Sequence, residues 1–255
     1  MIYCRCRSVV VGLISVFTGA TAWPAAEAIA ADRESSSFVE LFNGKDLAGW
    51  VVPEGDNGHW RVVDGVIDYD AQSEATGDKN LWTENEYGDF VLRIDWQIKE
   101  TPYLNPRVFI VKPDGTHKRD ADGKEIQITV PDSDSGVFLR GEGKSQINIW
   151  CWPVGSGEVY GYRMDKKMPP EVRAGVTPKT LADRDIGQWN TFEITMRGDR
   201  VTVVLNDVTV IEKAQLPGIP TRGRIALQHH GAMKNGQWSS PPALVRFRNI
   251  SIKEL

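Results

Sequence analysis

From residue 38 onward the chain is a series of short runs rich in β-branched and aromatic residues, separated by Gly, Asp, Asn and Pro. That punctuation belongs to strands and tight turns. The clearest runs are residues 60–67, 90–98, 107–111, 136–139, 146–152, 189–197, 201–205, 224–228 and 244–252. In Phe90-Val91-Leu92-Arg93-Ile94-Asp95-Trp96-Gln97-Ile98 the even positions are apolar and Arg93, Asp95 and Gln97 fall between them. Successive strand side chains point to opposite faces, so one face of this strand is core and the other is wet. Arg197-Gly198-Asp199-Arg200 and Asn206-Asp207 read as hairpin turns between antiparallel strands. No segment keeps apolar residues at helical spacing over three capped turns, which predicts little helix. The pattern predicts an all-β sandwich of two antiparallel sheets. Two long polar segments interrupt it: residues 112–124, with Asp-Gly turns, read as an inserted loop or ribbon, and residues 165–185 carry three prolines. Loops of that length in a compact domain are functional or disordered.

The length of 255 residues, with 41% hydrophobic and 25% charged content, suffices for one full core and predicts a single domain. A net charge of −4 supplies no basic stripe for a phosphate backbone, so no nucleic-acid partner is expected. The N-terminus changes the picture further. Arg5 and Arg7 precede an apolar run over residues 9–22, which is followed by small residues ending Ala28-Ile29-Ala30. That is the order of a bacterial secretory signal, and the run is short of the ~20 apolar residues of a bilayer span. The expectation is a signal peptide over residues 1–30, a polar remnant over 31–37 and the mature domain over 38–255. The product would be exported to the periplasm or beyond, with no membrane attachment after cleavage. Cys4 and Cys6 would leave with the leader. Cys151, alone among Ile149, Trp150 and Trp152, then reads as a packed, inert thiol.

The richest stretch lies between the two long loops. In Gln146-Ile147-Asn148-Ile149-Trp150-Cys151-Trp152 the amides and indoles share one face, opposite Ile147, Ile149 and Cys151. Amides donate to and accept from hydroxyls while aromatic rings stack on the apolar face of a pyranose, so this face suits a sugar. The alternative is that Trp150 and Trp152 are core and the amides are solvated. Arg140 stands at the end of a strand feeding this face, and Glu158 stands near its rim, with Tyr160 and Tyr162 beyond; either charge could equally be an ion-pair partner. His229 and His230 follow the strand over residues 224–228, and as adjacent residues they face opposite sides. One of them should reach the concave face, where an imidazole could act as a base or a metal ligand. There is no metal-ligand spacing, no Gly-x-Ser-x-Gly elbow and no phosphate loop. The sequence therefore requires no cofactor, although a divalent metal site assembled from distant strands would be invisible at this level.

The ordered series Leu41-Phe42-Asn43-Gly44-Lys45-Asp46-Leu47-Ala48-Gly49-Trp50, Trp60, Asp64-Gly65-Val66-Ile67, Leu81-Trp82-Thr83, Asp89-Phe90, Ser135-Gly136-Val137-Phe138-Leu139-Arg140, Gly187-Gln188-Trp189-Asn190, Leu227-Gln228-His229-His230-Gly231 and Phe247-Arg248-Asn249-Ile250 resembles the 3-keto-disaccharide hydrolase domain family. The resemblance spans residues 38–255 and implies a concanavalin A-like jelly roll. It also implies cleavage of glycosides that a separate sugar 3-dehydrogenase has already oxidised at C3. A C3 ketone acidifies the C2 proton; a base removes it, the enolate is stabilised, the C1 substituent leaves, and water adds. Such chemistry needs one base and an oxyanion stabiliser rather than two facing carboxylates. In agreement, the Glu-x-Asp-x-Glu triplet of glucanases of this fold is absent. Many relatives read Leu-Gln-Asp-His-Gly at residues 227–231, so His230 is the shared histidine. Relatives also often carry Asn where this chain has Asp134, and residues 112–124 are outside the usual pattern.

The resulting expectation is a 3-keto-glycoside-cleaving enzyme with His230 as base or metal ligand, Arg140 and Lys79 stabilising the enolate, and Glu158 assisting the leaving oxygen. Lys79 rests only on its place before Leu81-Trp82-Thr83. Gln146, Asn148, Trp150, Trp152, Tyr160, Tyr162 and His229 would hold the sugar. The rival reading is a non-catalytic, lectin-like carbohydrate-binding module, since the same aromatic face serves binding without chemistry. A structural or adhesive protein would call for internal repeats, and none is found at any fixed period.

Overall fold

The computed structural model describes residues 37–255; the expected signal peptide lies outside the described residues. The fold is an antiparallel jelly-roll sandwich. Its large sheet runs in the order Val208–Gln215, Arg200–Leu205, Asn190–Arg197, Phe90–Ile98, Val245–Glu254, Val66–Tyr69, Trp60–Val63, with Val39–Glu40 also paired to Val245–Glu254. The small sheet runs Glu142–Ile149, Ser135–Leu139, Gly223–Leu227, Leu81–Tyr87, Trp50–Val51.

The core is the space between the two sheets. Phe90, Leu92, Ile94, Trp96 and Ile98 are all buried while Arg93 is exposed, as the alternation predicts. Ile147 and Ile149 enter the same core from the small sheet, which turns Gln146 and Asn148 to its outer face.

Several boundaries differ from the sequence expectation, each for a local reason. Residues 60–67 form two strands, because Asp64 and Gly65 both take positive φ (51° and 76°) in the two-residue turn between Val63 and Val66. The last strand of the sugar-facing stretch starts earlier, at Glu142, and ends at Ile149, so Trp150 and Trp152 stand past the ladder. Val208–Gln215 is absent from the clearest runs because it is irregular: Lys213 takes φ 46° and the register against Arg200–Leu205 shifts. Residues 165–185 hold a short helix, Pro170–Gly175, started by a proline in its first turn. A second short helix is Tyr160–Met164. Residues 112–124 form a ribbon that prolongs the hairpin of Tyr103–Phe109 and Gln127–Asp132 through the bridges Val111↔His117 and Arg119↔Glu125.

Candidate functional site

Gln146, Asn148, Trp150, Trp152, Tyr160 and His230 converge with Asp134 and Gln228 on a cavity of about 230 Å³ over the outer face of the small sheet. Three strand ends supply it. Asp134 precedes Ser135–Leu139, Gln228 and His230 follow Gly223–Leu227, and Gln146 and Asn148 lie within Glu142–Ile149. Antiparallel pairing of the first two strands brings the start of one beside the end of the other.

The amide side of the cavity depends on Gly136, which pairs with Asn148. A Cβ on Gly136 would sit 2.5 Å from Gln146 Nε2 and 2.6 Å from the Ile147 carbonyl, so only glycine admits the Gln146 amide there. Gln146 Nε2 then donates to Gln228 Oε1 (2.5 Å) and to the Ser135 carbonyl (3.1 Å), while Gln228 Nε2 returns a bond to Gln146 Oε1 (3.2 Å). The pair is locked by its own bonds. Asn148, by contrast, spends its backbone on Glu158 and Gly157 and lines the cavity with its side chain.

The aromatic wall is equally constrained. Trp150 and Trp152 stack at 4.2 Å with planes 2° apart, and Tyr160 meets both edge-on. The Trp150 indole donates to the Gly155 carbonyl (2.7 Å), and the Trp152 indole donates to Asp132 (3.1 Å). Trp150 is itself buried, at 4% exposure, and Trp152 is half-buried. The pair thus serves as packing and as cavity wall at once.

A remote segment sets the titratable pair. The Pro241 carbonyl accepts from His230 Nδ1 (2.6 Å), the Pro242 carbonyl accepts the Asp134 N–H (3.1 Å) and the Ser133 hydroxyl (2.5 Å), and the Ala243 N–H donates to the His230 carbonyl (2.8 Å). A carbonyl oxygen can only accept, so Nδ1 carries a proton and Nε2 is the ring nitrogen without a protein hydrogen bond. Burial pushes the Asp134 carboxyl up to about 7; His230 nearby opposes the shift and Asp132 adds to it. Asp134 is consequently an acid that holds its proton close to neutrality, beside an imidazole whose Nε2 makes no protein hydrogen bond.

Other expected site residues lie elsewhere. Arg140, with Gly141, forms the two-residue turn at the far end of its strand, at φ 53° and 70°. Its side chain, 1% exposed, donates to the Gly88, Gly198 and Pro220 carbonyls and pairs with Asp89 at 2.7 Å. It joins three loops away from the cavity. Glu158 is fully buried in an ion pair with Arg163 (2.5 Å), where burial raises its carboxyl and Arg163 opposes the rise. Tyr162 is buried on the other side of its helix, with its hydroxyl on the Pro217 carbonyl. Lys79 Nζ donates to the Ser73 carbonyl. His229 faces away from His230 and meets the Tyr69 hydroxyl at 2.5 Å; burial first, and the Lys79 charge second, push its imidazole down to about 4. The Cys151 thiol is pushed up to about 12 by burial, which keeps it protonated.

Sequence reasoning missed Asp134, Gln228 and the Pro241–Pro242 carbonyls. Asp134 had a visible signal, as an acid where relatives carry an amide. The carbonyls had none. Among the described residues no group of three or more His, Cys, Asp or Glu side chains is placed to hold a metal ion.

The model of the 3-keto-α-glucoside-1,2-lyase-like domain matches residues 37–253. The chain belongs to this family. Membership makes it a carbohydrate-active protein, in keeping with the amide and aromatic lining of the cavity. Two solved proteins of Parabacteroides distasonis, each described as a candidate glycosyl hydrolase, share the lyase-like domain's fold. One is 22% identical over 86% of this chain and 84% of its own, with a TM-score of 0.55. The other is 19% identical over 88% and 96%, with a TM-score of 0.51. No curated protein shows a significant sequence match.

Proposed function

We propose that this protein cleaves 3-keto-glycosides by elimination at C1 followed by hydration, with His230 as base and Asp134 as acid. The observation that carries the reading is the pairing of a free imidazole nitrogen with a carboxyl raised to about 7 in one sugar-sized cavity. Asp134 is the single carboxylate lining that cavity among the described residues, so hydrolysis by two facing carboxylates has no second partner.

His230 Nε2 removes the proton from C2, which the C3 ketone acidifies. The electron pair forms the C1–C2 double bond, the C1–O bond breaks, and the departing oxygen takes the Asp134 proton. The C3 oxygen gains charge as the proton leaves, and the Asn148 amide and the Tyr160 hydroxyl are the lining donors with no protein partner to surrender. Water then adds to C1, giving one proton to the Asp134 carboxylate, as His230 returns its proton to C2. A separate sugar 3-dehydrogenase must act first to install the ketone. The leader-like N-terminus supports an exported enzyme working outside the cytoplasm.

The test is incubation of the purified protein with a 3-keto-glucoside and with its unoxidised parent, following aglycone release with and without a chelator. Release from the keto form alone is expected, and His230→Ala should lose it by a factor of about 10²–10⁴ with an unchanged melting temperature. Saturable binding with no product from either compound would make the cavity a lectin site.

A further inference from the structure

A second cavity, of about 930 Å³, lies between the ribbon of residues 112–124 and the two short helices. Its volume is that of a site for an extended ligand. Five lysine and arginine side chains line it against one carboxylate, Glu125. In a chain of net charge −4 this is a local inversion of sign.

The walls are built rather than loose. Gly115, at the ribbon turn, takes φ 77° and packs so tightly on the Pro170–Gly175 helix that a Cβ would lie 2.7 Å from the Arg173 carbonyl. Lys179 Nζ clips the ribbon by donating to the Pro113 carbonyl (2.8 Å) and to the Ala174 carbonyl (2.5 Å). Arg173 spends only Nε, on the Arg163 carbonyl (2.7 Å), which fixes the guanidinium at the wall. Arg163 is fully buried, donates from Nη1 to His117 Nε2 (3.0 Å) and leaves Nη2 without a partner. An arginine only donates, so His117 accepts at Nε2 and donates from Nδ1 to Glu125 (3.1 Å). That fixed imidazole stacks on Phe109 at 4.1 Å, which gives the cavity an aromatic floor. Lys118 and Lys166 are exposed, line the cavity and make no salt bridge with a described residue.

We propose that this groove binds an acidic glycan, a saccharide chain bearing uronate carboxylates or sulfate esters. An aromatic floor stacks on the apolar face of a sugar ring, and unpaired ammonium groups at the rim meet its anionic substituents. The net negative charge of the protein favours such a chain over nucleic acid. The inference depends only on the ribbon and the helices, and stands whether or not the Asp134–His230 cavity acts on 3-keto sugars. Behind Tyr160, which walls that cavity, Arg163 lies 5.4 Å from the ring centroid and reaches His117, so the two sites are neighbours.

The experiment is calorimetric titration of the full protein with hexagalacturonate, maltohexaose, inorganic sulfate and a single-stranded DNA dodecamer, each at two salt concentrations. Hexagalacturonate should bind in preference to the other three and weaken with salt. The double variant Lys118→Glu/Lys166→Glu should bind it at least tenfold more weakly, while its melting temperature and its turnover of a neutral 3-keto-glucoside match the parent. A Lys118→Gln/Lys166→Gln variant, which removes charge without reversing it, should lose part of that affinity. No binding of hexagalacturonate, equal binding of maltohexaose or sulfate, tighter binding of the DNA, or undiminished affinity in the double variant would each overturn the assignment.

Discussion

Arg140 and Asp134 bracket the same strand of the small sheet, and His230 follows its antiparallel neighbour, so one end of the sheet carries Arg140 and the other carries the Asp134–His230 pair. Both ends hold polar side chains anchored to distant segments, yet they use their bonding capacity differently. Arg140 spends its guanidinium on three backbone carbonyls and a carboxylate. His230 spends one nitrogen on Pro241 and keeps the other, and Asp134 anchors by its backbone and keeps its carboxyl. A saturated group holds the fold together; a group with bonding capacity left over, held still by its neighbours, is available to a substrate.

Truncating the saturated end should have the largest effect on the protein. Arg140→Ala leaves the Gly88, Gly198 and Pro220 carbonyls without their donor, while the exposed Asp89 carboxylate keeps the Gly198 N–H, at a cost on the order of 3 kcal/mol. That is a large part of the whole stability of an ordinary domain. Chemical denaturation should show a strongly lowered midpoint, with catalytic loss tracking the unfolded fraction. His230→Ala is the mirror image, losing turnover without losing stability. If Arg140→Ala melts like the parent and only turnover falls, the division between the two ends is wrong and Arg140 is a site residue after all.

A milder break is Gly136→Ala. The added methyl would meet Gln146 Nε2 at 2.5 Å and the Ile147 carbonyl at 2.6 Å, which uncouples the Gln146–Gln228 amide pair. If those amides hold the sugar rather than move protons, as the proposed mechanism assigns them, KM should rise on the order of tenfold while kcat changes little. Steady-state kinetics decide it, and an equal fall in both kcat and kcat/KM would transfer the amides from binding to chemistry.

The fold was readable because its signal is local. The alternation in residues 90–98 and the outward amides at Gln146 and Asn148 follow from a period of two, and that period is the geometry of the strand itself. The adjacency of His229 and His230 separated their faces for the same reason. Roles at strand ends were not readable in this way. Arg140 and His230 look alike in the sequence, each just past a strand, and what distinguishes them is the supply of acceptors from Gly88, Gly198 and Pro220 on one side and from Pro241 on the other. Glu158 was drawn toward the rim by its place near the tyrosines, whereas a partner five residues on, Arg163, fixes it in the interior. Asp134 depends on Pro242, more than a hundred residues away. Motif resemblance singled out His230, which the structure places in the cavity lining; it could not single out Asp134, where this chain departs from the pattern.

The smallest expected effect bears most directly on Asp134. Its carboxyl is raised by burial from 3.8 to about 7, so the folded state binds this proton more tightly than the unfolded chain does. The stability from this group is fully present below about pH 3.8 and is lost as the pH rises through about 7, where the folded protein must carry a charge in a poorly solvated place. Asp134→Asn keeps the shape and removes the titration. Other carboxylates, such as Asp68 and Asp165, are lowered by their lysine and arginine partners and slope the other way, so the informative quantity is the difference between variant and parent. Thermal melts at pH 4 and pH 8 should show the variant gaining on the parent at the alkaline end, and its turnover should fall because the departing oxygen no longer finds a proton. A constant difference in melting temperature across that interval would mean that Asp134 ionises as an ordinary surface acid, and the acid would then have to be sought among the hydroxyl and amide groups of the same cavity.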